Sequence, residues 1–280
     1  MASPLEDAVA GLLTQQAAFS AALLQELNAI KQQLLQLTQA DAALSLRLAA
    51  LEAAPPVTVP KMRIGAVSYF RTLASWDAII AAKVAVAMIN PGSGPGPAPD
   101  SLYVGMVPKC RAAGVPVYGY VHTKYGVRPA AEVKADILNH KAWYGIDGIF
   151  VDTTSTDRAY LPYYADLCAF IHAQGLKVAL NPGSSGPEEH AQMADYVMVA
   201  ENYWSNYKAQ TRPAWESKPA YAGKLWHVIH TCPAAEMPAA VAMAKQKHAG
   251  LVYITDDLMP NPYNVLPTYF QGLVAAVGAA

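Results

Sequence analysis

The sequence predicts a (β/α)8 TIM-type barrel preceded by an N-terminal coiled-coil helix. Three observations carry this. Eight short apolar runs recur between residues 63 and 257 with helix-like stretches between them. Seven of the eight core segments end in a polar or ionisable residue: Asn90, His122, Asp152, Asn181, Glu201, His230 and Asp256. Residues 4–53, by contrast, are dominated by Ala, Leu and Gln, with apolar positions spaced alternately by four and three. Repeated strand–helix units imply a parallel barrel, whose functional residues gather at the C-terminal strand ends. An open doubly wound sheet is the alternative, and it lacks the G-x-G-x-x-G expected after its first strand.

The N-terminal segment is rich in good helix formers and has Phe19 as its single aromatic residue. Leu27, Ile30, Leu34, Leu37, Leu44, Leu48 and Leu51 form a narrow stripe, continued upstream by Leu5, Val9, Leu12, Phe19 and Leu23. So narrow a seam over many turns reads as a coiled coil; a lone amphipathic helix packed on the barrel is the rival reading. The step from Leu23 to Leu27 is a stutter. Gln16 and Asp41 fall on the seam, where polar residues cost stability and fix register. The reading is an oligomerisation helix over 1–54, self-associating with a homotrimer favoured over a dimer, then a Pro-rich linker over 55–61 and the barrel over 62–280.

Within the barrel the predicted strands are 63–69, 83–90, 115–122, 147–152, 176–181, 195–201, 225–230 and 250–257. Ser75-Trp76-Asp77 resembles the cap of the first helix, and Asp100 that of the next, after the loop PGSGPGPAPD. Further helices are expected over 130–143, 159–174, 187–194, 205–218, 235–248 and 266–277.

Composition narrows the classes. The chain has 280 residues, 53% hydrophobic and 15% charged, with a formal charge of −1. This fits a well-buried core and leaves no electrostatic footprint for nucleic acid or an anionic membrane. Cys110, Cys168 and Cys232 lie far apart, as buried thiols do, and not as a disulfide or zinc framework. No apolar stretch reaches the ~18 residues of a membrane span. The N-terminus carries acids where a secretory peptide carries Lys or Arg, so no signal peptide is expected. That leaves a virion-associated protein, or one released to act outside the cell, and otherwise a cytoplasmic one.

Side-chain alternation then builds the barrel mouth. In the third strand Val115, Val117 and Val121 point outward, and Tyr118, Tyr120 and His122 inward. In the fourth, Phe150 and Asp152 face in; in the sixth, Glu201 shares its face with Val197 and Val199. Asp152 and Glu201 stand one strand apart, their Cα atoms roughly 9–10 Å distant at ~4.8 Å per strand. That spans the carboxyl separations of both retaining (about 5–5.5 Å) and inverting (about 6.5–9.5 Å) glycosidases. The competing reading is that these acids only balance Lys124, Arg128 or Arg158 at the rim. Tyr125, Tyr203, Trp204, Tyr207 and Tyr263 offer flat faces suited to sugar rings. No spacing in the chain supports a metal site or a cofactor.

The segments GVPVYGYVHTKYG, WYGIDGIFVD, GLKVALNPG, ADYVMVAENYW and LVYITDD…PYNVLPTYF resemble the spherulin-4-like family over roughly residues 62–270. The resemblance implies a barrel related to glycoside hydrolases, some of which cleave galactosaminogalactan-type amino-sugar polymers. It places Asp152 and Glu201 on two of the family's acids. Thr153 stands where the family carries a second acid beside Asp152, and Asp256 or Asp257 is left to supply a third.

The functional expectation is a glycoside hydrolase acting on an extracellular or cell-surface amino-sugar polysaccharide, with Asp152 and Glu201 as its two carboxylates. Tyr69, Asn90, Tyr120, His122, Asn181, Tyr203, Trp204, His230, Asp256 and Asp257 are the expected substrate-binding residues. The alternative is an oligomeric glycan receptor-binding protein, such as a phage tail fibre or spike.

Overall fold

The computed structural model describes residues 4–52 and 60–279. Most of the expected linker over 55–61 therefore lies outside the described residues, as do the seam side chains of Leu5, Val9, Leu48 and Leu51. The chain divides into two compact units, residues 1–57 and 58–280.

The described residues of the first unit form one helix, α1 (Pro4–Glu52), of 49 residues. At 1.5 Å per residue it is about 73 Å long. Its described seam side chains are exposed: Leu27 is 47% exposed, Ile30 60%, Leu34 63% and Leu37 67%.

The second unit is a closed, all-parallel barrel in sequential order. Its strands are β1 (Arg63–Ala66), β2 (Val86–Ile89), β3 (Val117–His122), β4 (Gly148–Asp152), β5 (Lys177–Leu180), β6 (Tyr196–Tyr203), β7 (Leu225–His230) and β8 (Leu251–Ile254). Pairing of β1 with β8 closes it. Helices α2 (Leu73–Ala81), α3 (Ser101–Ala112), α4 (Ala130–Tyr144), α5 (Leu161–Ala173), α6 (Glu189–Met193), α7 (Trp204–Ala209), α8 (Met237–Gln246) and α9 (Phe270–Ala279) follow the strands in turn.

Some termini follow from local chemistry. Asp100 caps α3 by accepting from Leu102 N–H at 3.0 Å. Gly145, at φ 62°, ends α4 in the left-handed conformation that glycine adopts freely. The first barrel helix starts two residues before Ser75 with Thr72 as its N-cap, and the Thr72 hydroxyl donates to Ser75 Oγ, so Ser75 lies inside the first turn. The expected helix over 205–218 breaks after Ala209 into two short 3-10 turns, 214–217 and 219–221. Pro213 and Pro219 lack the N–H that a continuing helix needs.

Large and small residues alternate inside the barrel. Trp226, Phe150 and Tyr118 are fully buried. A Cβ at Gly65 would lie 2.7 Å from the Trp226 ring, and one at Gly148 2.6 Å from Tyr118. These glycines are therefore the space the rings occupy. On the opposite face of β3, Gly119 lies against His140 of α4, which fixes Tyr118 and Tyr120 inward as alternation requires. β6 departs from strict alternation: its register to β7 shifts between Met198 and Ala200. The bulge brings Met198 onto the cavity face with Glu201, in place of Val197 and Val199.

Candidate active site

The mouth holds a cavity of about 500 Å³, lined by Tyr69, Asn90, Tyr120, Asp152, Asn181, Glu201 and His230 among others. Asp152 ends β4 and Glu201 sits late in β6, so two strands carry the acids and the one between them, β5, leads into Asn181.

Asn181 joins the two acids. Its Nδ2 donates to Asp152 Oδ1 and to Glu201 Oε2, each at 2.8 Å. The two acceptor oxygens are therefore at most about 5.6 Å apart, twice 2.8 Å. The amide cannot be turned over, because Gly183 N–H donates to Asn181 Oδ1 at 2.8 Å. Each acid has a second donor: Tyr120 OH to Asp152 Oδ2 at 2.6 Å, and Tyr263 OH to Glu201 Oε1 at 2.7 Å. Charge-assisted bonds of this length are the strong ones.

Burial raises the pKa of Glu201, and the nearby Asp152 charge adds to the rise; the Asn181 and Tyr263 donors partly oppose it. Tyr69 is held protonated by burial and by the charges of Asp152 and Glu201. Its ring meets those of Tyr120 and Tyr263 edge-on, with centroids 6.1 and 5.9 Å away. Behind Tyr120, burial pushes His140 down to about 4, so a neutral ring bonds the Tyr120 carbonyl through Nε2 at 2.8 Å. Burial likewise lowers the pKa of His230, and its Nδ1 pairs with Thr231 Oγ1 at 3.1 Å.

Five of the expected binding residues do not line the cavity. His122 is in phase with Tyr120 and in register with Asp152, but β3 ends there and Arg128 takes its carbonyl at 3.2 Å. Burial and the cations Arg128 and Lys124 lower its pKa. Tyr203 sits edge-on to His230, centroids 4.4 Å apart, and so supports that residue from outside. Trp204 starts α7 and is buried, its indole N–H donating to Glu236. Asp256 holds the returning chain by accepting from Thr268 N–H and Oγ. Asp257 accepts from Leu258 N–H at 2.9 Å through Oδ1. Thr153 does not line the cavity either: its Oγ1 donates to the Asp152 carbonyl and accepts from Thr123 and Lys124 N–H.

Alternation did not single out Tyr263 as the partner of Glu201. It lies in the irregular chain after β8, and its carbonyl accepts from Tyr69 N–H at 3.1 Å. Its sequence signals are its place among the aromatics that follow the strands and in the segment PYNVLPTYF, and neither pairs it with Glu201. Among the described residues no group of three or more His, Cys, Asp or Glu side chains could hold a metal ion. None of their helices is long and apolar enough to cross a membrane. The three cysteines are buried and free.

Compared with known proteins, the chain matches spherulation-specific family 4 over residues 69–277. Spherulin-4 of Physarum polycephalum is 33% identical over 222 residues, which is 74% of this chain and 67% of that protein. The crystal structure of Aspergillus clavatus Sph3 in complex with GalNAc aligns with a TM-score of 0.68 at 25% identity, covering 78% of this chain and 98% of that one. A chitinase from Chromobacterium violaceum shares the fold, with a TM-score of 0.53 at 13% identity over 79% of this chain and 99% of its own.

Proposed function

We propose that this chain, which belongs to spherulation-specific family 4, is a glycoside hydrolase that cleaves an amino-sugar polysaccharide outside the cell. The observation that carries the reading is the Asp152–Asn181–Glu201 clamp in a tyrosine-lined cavity. An upper bound of about 5.6 Å between the shared oxygens favours the short carboxyl separation of about 5–5.5 Å used by retaining enzymes. Glu201, with its raised pKa, acts as general acid to the leaving oxygen and then as base to water. Asp152, held by two donors, acts as nucleophile or stabilises the positive charge developing at the anomeric carbon. Tyr69, Asn90 and His230 orient substrate hydroxyl or amide groups.

The amino-sugar part rests on the likeness to Sph3, whose crystal holds GalNAc. It also rests on charge, because the lining contains two carboxylates and no Lys or Arg, a mouth that accepts an amine-bearing sugar. A second reading is favoured by α1. Its apolar residues are exposed along the described length, as a coiled-coil seam in a separate chain is. An oligomer, with a trimer favoured, would present several glycan-binding heads and gain avidity, as a tail fibre or spike does. The two readings are compatible.

The test incubates wild type, Glu201→Gln and Asp152→Asn with acetylated and partly deacetylated galactosamine polymers. Wild type should release oligosaccharides, and each variant should lose at least about 10³-fold in rate while still binding, on the scale of removing a catalytic group. Binding by wild type without release would leave only the receptor reading.

A further inference from the structure

The rim carries an aromatic residue that the catalytic cavity does not use. Tyr125 follows β3 by three residues, is 61% exposed and is absent from the cavity lining. Lys124 and Tyr125 have φ of 49° and 59°, and Thr153, the residue after β4, has φ of 51°. Bulky and β-branched side chains seldom adopt this left-handed region, and they persist there only when the surroundings over-determine them.

Here the surroundings do so. Thr153 Oγ1 accepts from Thr123 N–H at 3.2 Å and Lys124 N–H at 2.9 Å. Its carbonyl accepts from Tyr125 N–H at 2.7 Å and from the Thr123 hydroxyl at 2.8 Å. The loop closes on itself through Gly126 N–H and Arg128 N–H, which donate to the Thr123 carbonyl at 3.1 and 3.0 Å. Gly126 lies under the Tyr160 ring with no room for a Cβ, which would fall 2.4 Å from that ring. An exposed loop tip held by this many bonds presents its one aromatic ring at little further entropic cost. A flat ring with a hydroxyl tip is the surface that the C–H face of a sugar stacks on. Lys124, exposed beside it, repels an amine-bearing unit and leaves a neutral one.

We infer that Tyr125 is a stacking platform for a neutral, N-acetylated sugar unit outside the catalytic cavity, and that Thr153 is the positioning residue that holds it. The inference rests on the glycan reading above. It gives the position of the missing family acid a different use: the Thr153 side chain is turned from the cavity into the rim loop. The acetyl-bearing unit sits on the platform while the acidic cavity takes the sugar whose bond is cut.

The experiment measures calorimetric affinity in the Glu201→Gln background for two probes, GalNAc and a soluble oligomer of N-acetylgalactosamine. Tyr125→Ala should weaken the oligomer about tenfold, equivalent to about 1.4 kcal/mol, and GalNAc less than about twofold. Thr153→Ala should weaken the oligomer about threefold, and Thr153→Ser should restore it by keeping the acceptor for both N–H groups. Unchanged oligomer affinity in Tyr125→Ala overturns the platform and leaves the glycan reading standing. A parent that binds neither probe overturns both. Thr153→Ala overturns the positioning role if it leaves the oligomer unaffected, or weakens both probes equally.

Discussion

Replacing Asn181 with Ala tests how the two acids work together. Asn181 Nδ2 gives one hydrogen bond to each carboxylate, both 2.8 Å long. A hydrogen bond to a charged group contributes about 1.5–3 kcal/mol. The bond to Glu201 favours its ionised form and opposes the effect of burial. Its removal therefore raises the pKa of Glu201 further, and the alkaline limb of the kcat/KM profile moves to higher pH. At about 1.4 kcal/mol per pH unit, the displacement is about one pH unit or more. The carboxylates also lose the link that fixes their spacing, so kcat at the optimum should fall about 10²-fold, the order expected for a misplacement of ~1 Å. Tyr263→Phe removes the other Glu201 donor without touching Asp152, and should move the same limb in the same direction. Profiles of kcat/KM from pH 3 to 9 check both. A limb that stays in place or moves to lower pH in both variants would show that Glu201 does not deliver the proton.

Further outcomes follow from the same structure. A glutamate whose folded pKa is raised binds its proton more tightly folded than unfolded, so its stabilising share is complete below the ordinary value of about 4.3 and is lost as pH rises through the folded value. Thermal melts should accordingly show Glu201→Gln gaining Tm over wild type as pH increases from 4 to 8, and a gap that narrows with pH refutes the assigned direction. Gly65→Ala forces a Cβ to within 2.7 Å of the buried Trp226 ring, and should cost about 1–3 kcal/mol as overpacking does, seen as a lower denaturant midpoint. Light scattering should find the full chain oligomeric and the chain lacking residues 1–57 monomeric; equal mass per chain in both counts against the coiled coil. Asp41→Leu removes a polar seam residue, so the melting temperature of α1 should rise at fixed concentration.

The barrel could be read from the sequence because its signals are local. Each strand is an apolar run with a polar end, and β7 has the predicted bounds, Leu225–His230. Alternation also placed Tyr120, Asp152 and Asn181 at the cavity. It went wrong where the backbone leaves the regular pleat. The bulge at Met198–Ala200 put Met198 in place of Val199. His122 keeps the phase of Tyr120 and the register of Asp152 yet does not line the cavity. Trp204 and Asp256 have the right residue types, but one opens a helix and the other anchors a returning loop. Tyr263 reaches Glu201 across 62 positions of sequence, through a loop whose path no periodicity encodes. The role of Thr153 depends on its left-handed backbone, which a β-branched residue gives no reason to expect.

The most direct test of the account is time-resolved proton NMR of an N-acetylgalactosamine oligomer during hydrolysis by the full chain. The clamp predicts that the first new anomeric signal has the configuration of the cleaved linkage, and that Glu201→Gln produces none. Appearance of the opposite anomer first, or equal release by the variant, would contradict a mechanism run by Asp152 and Glu201 across Asn181.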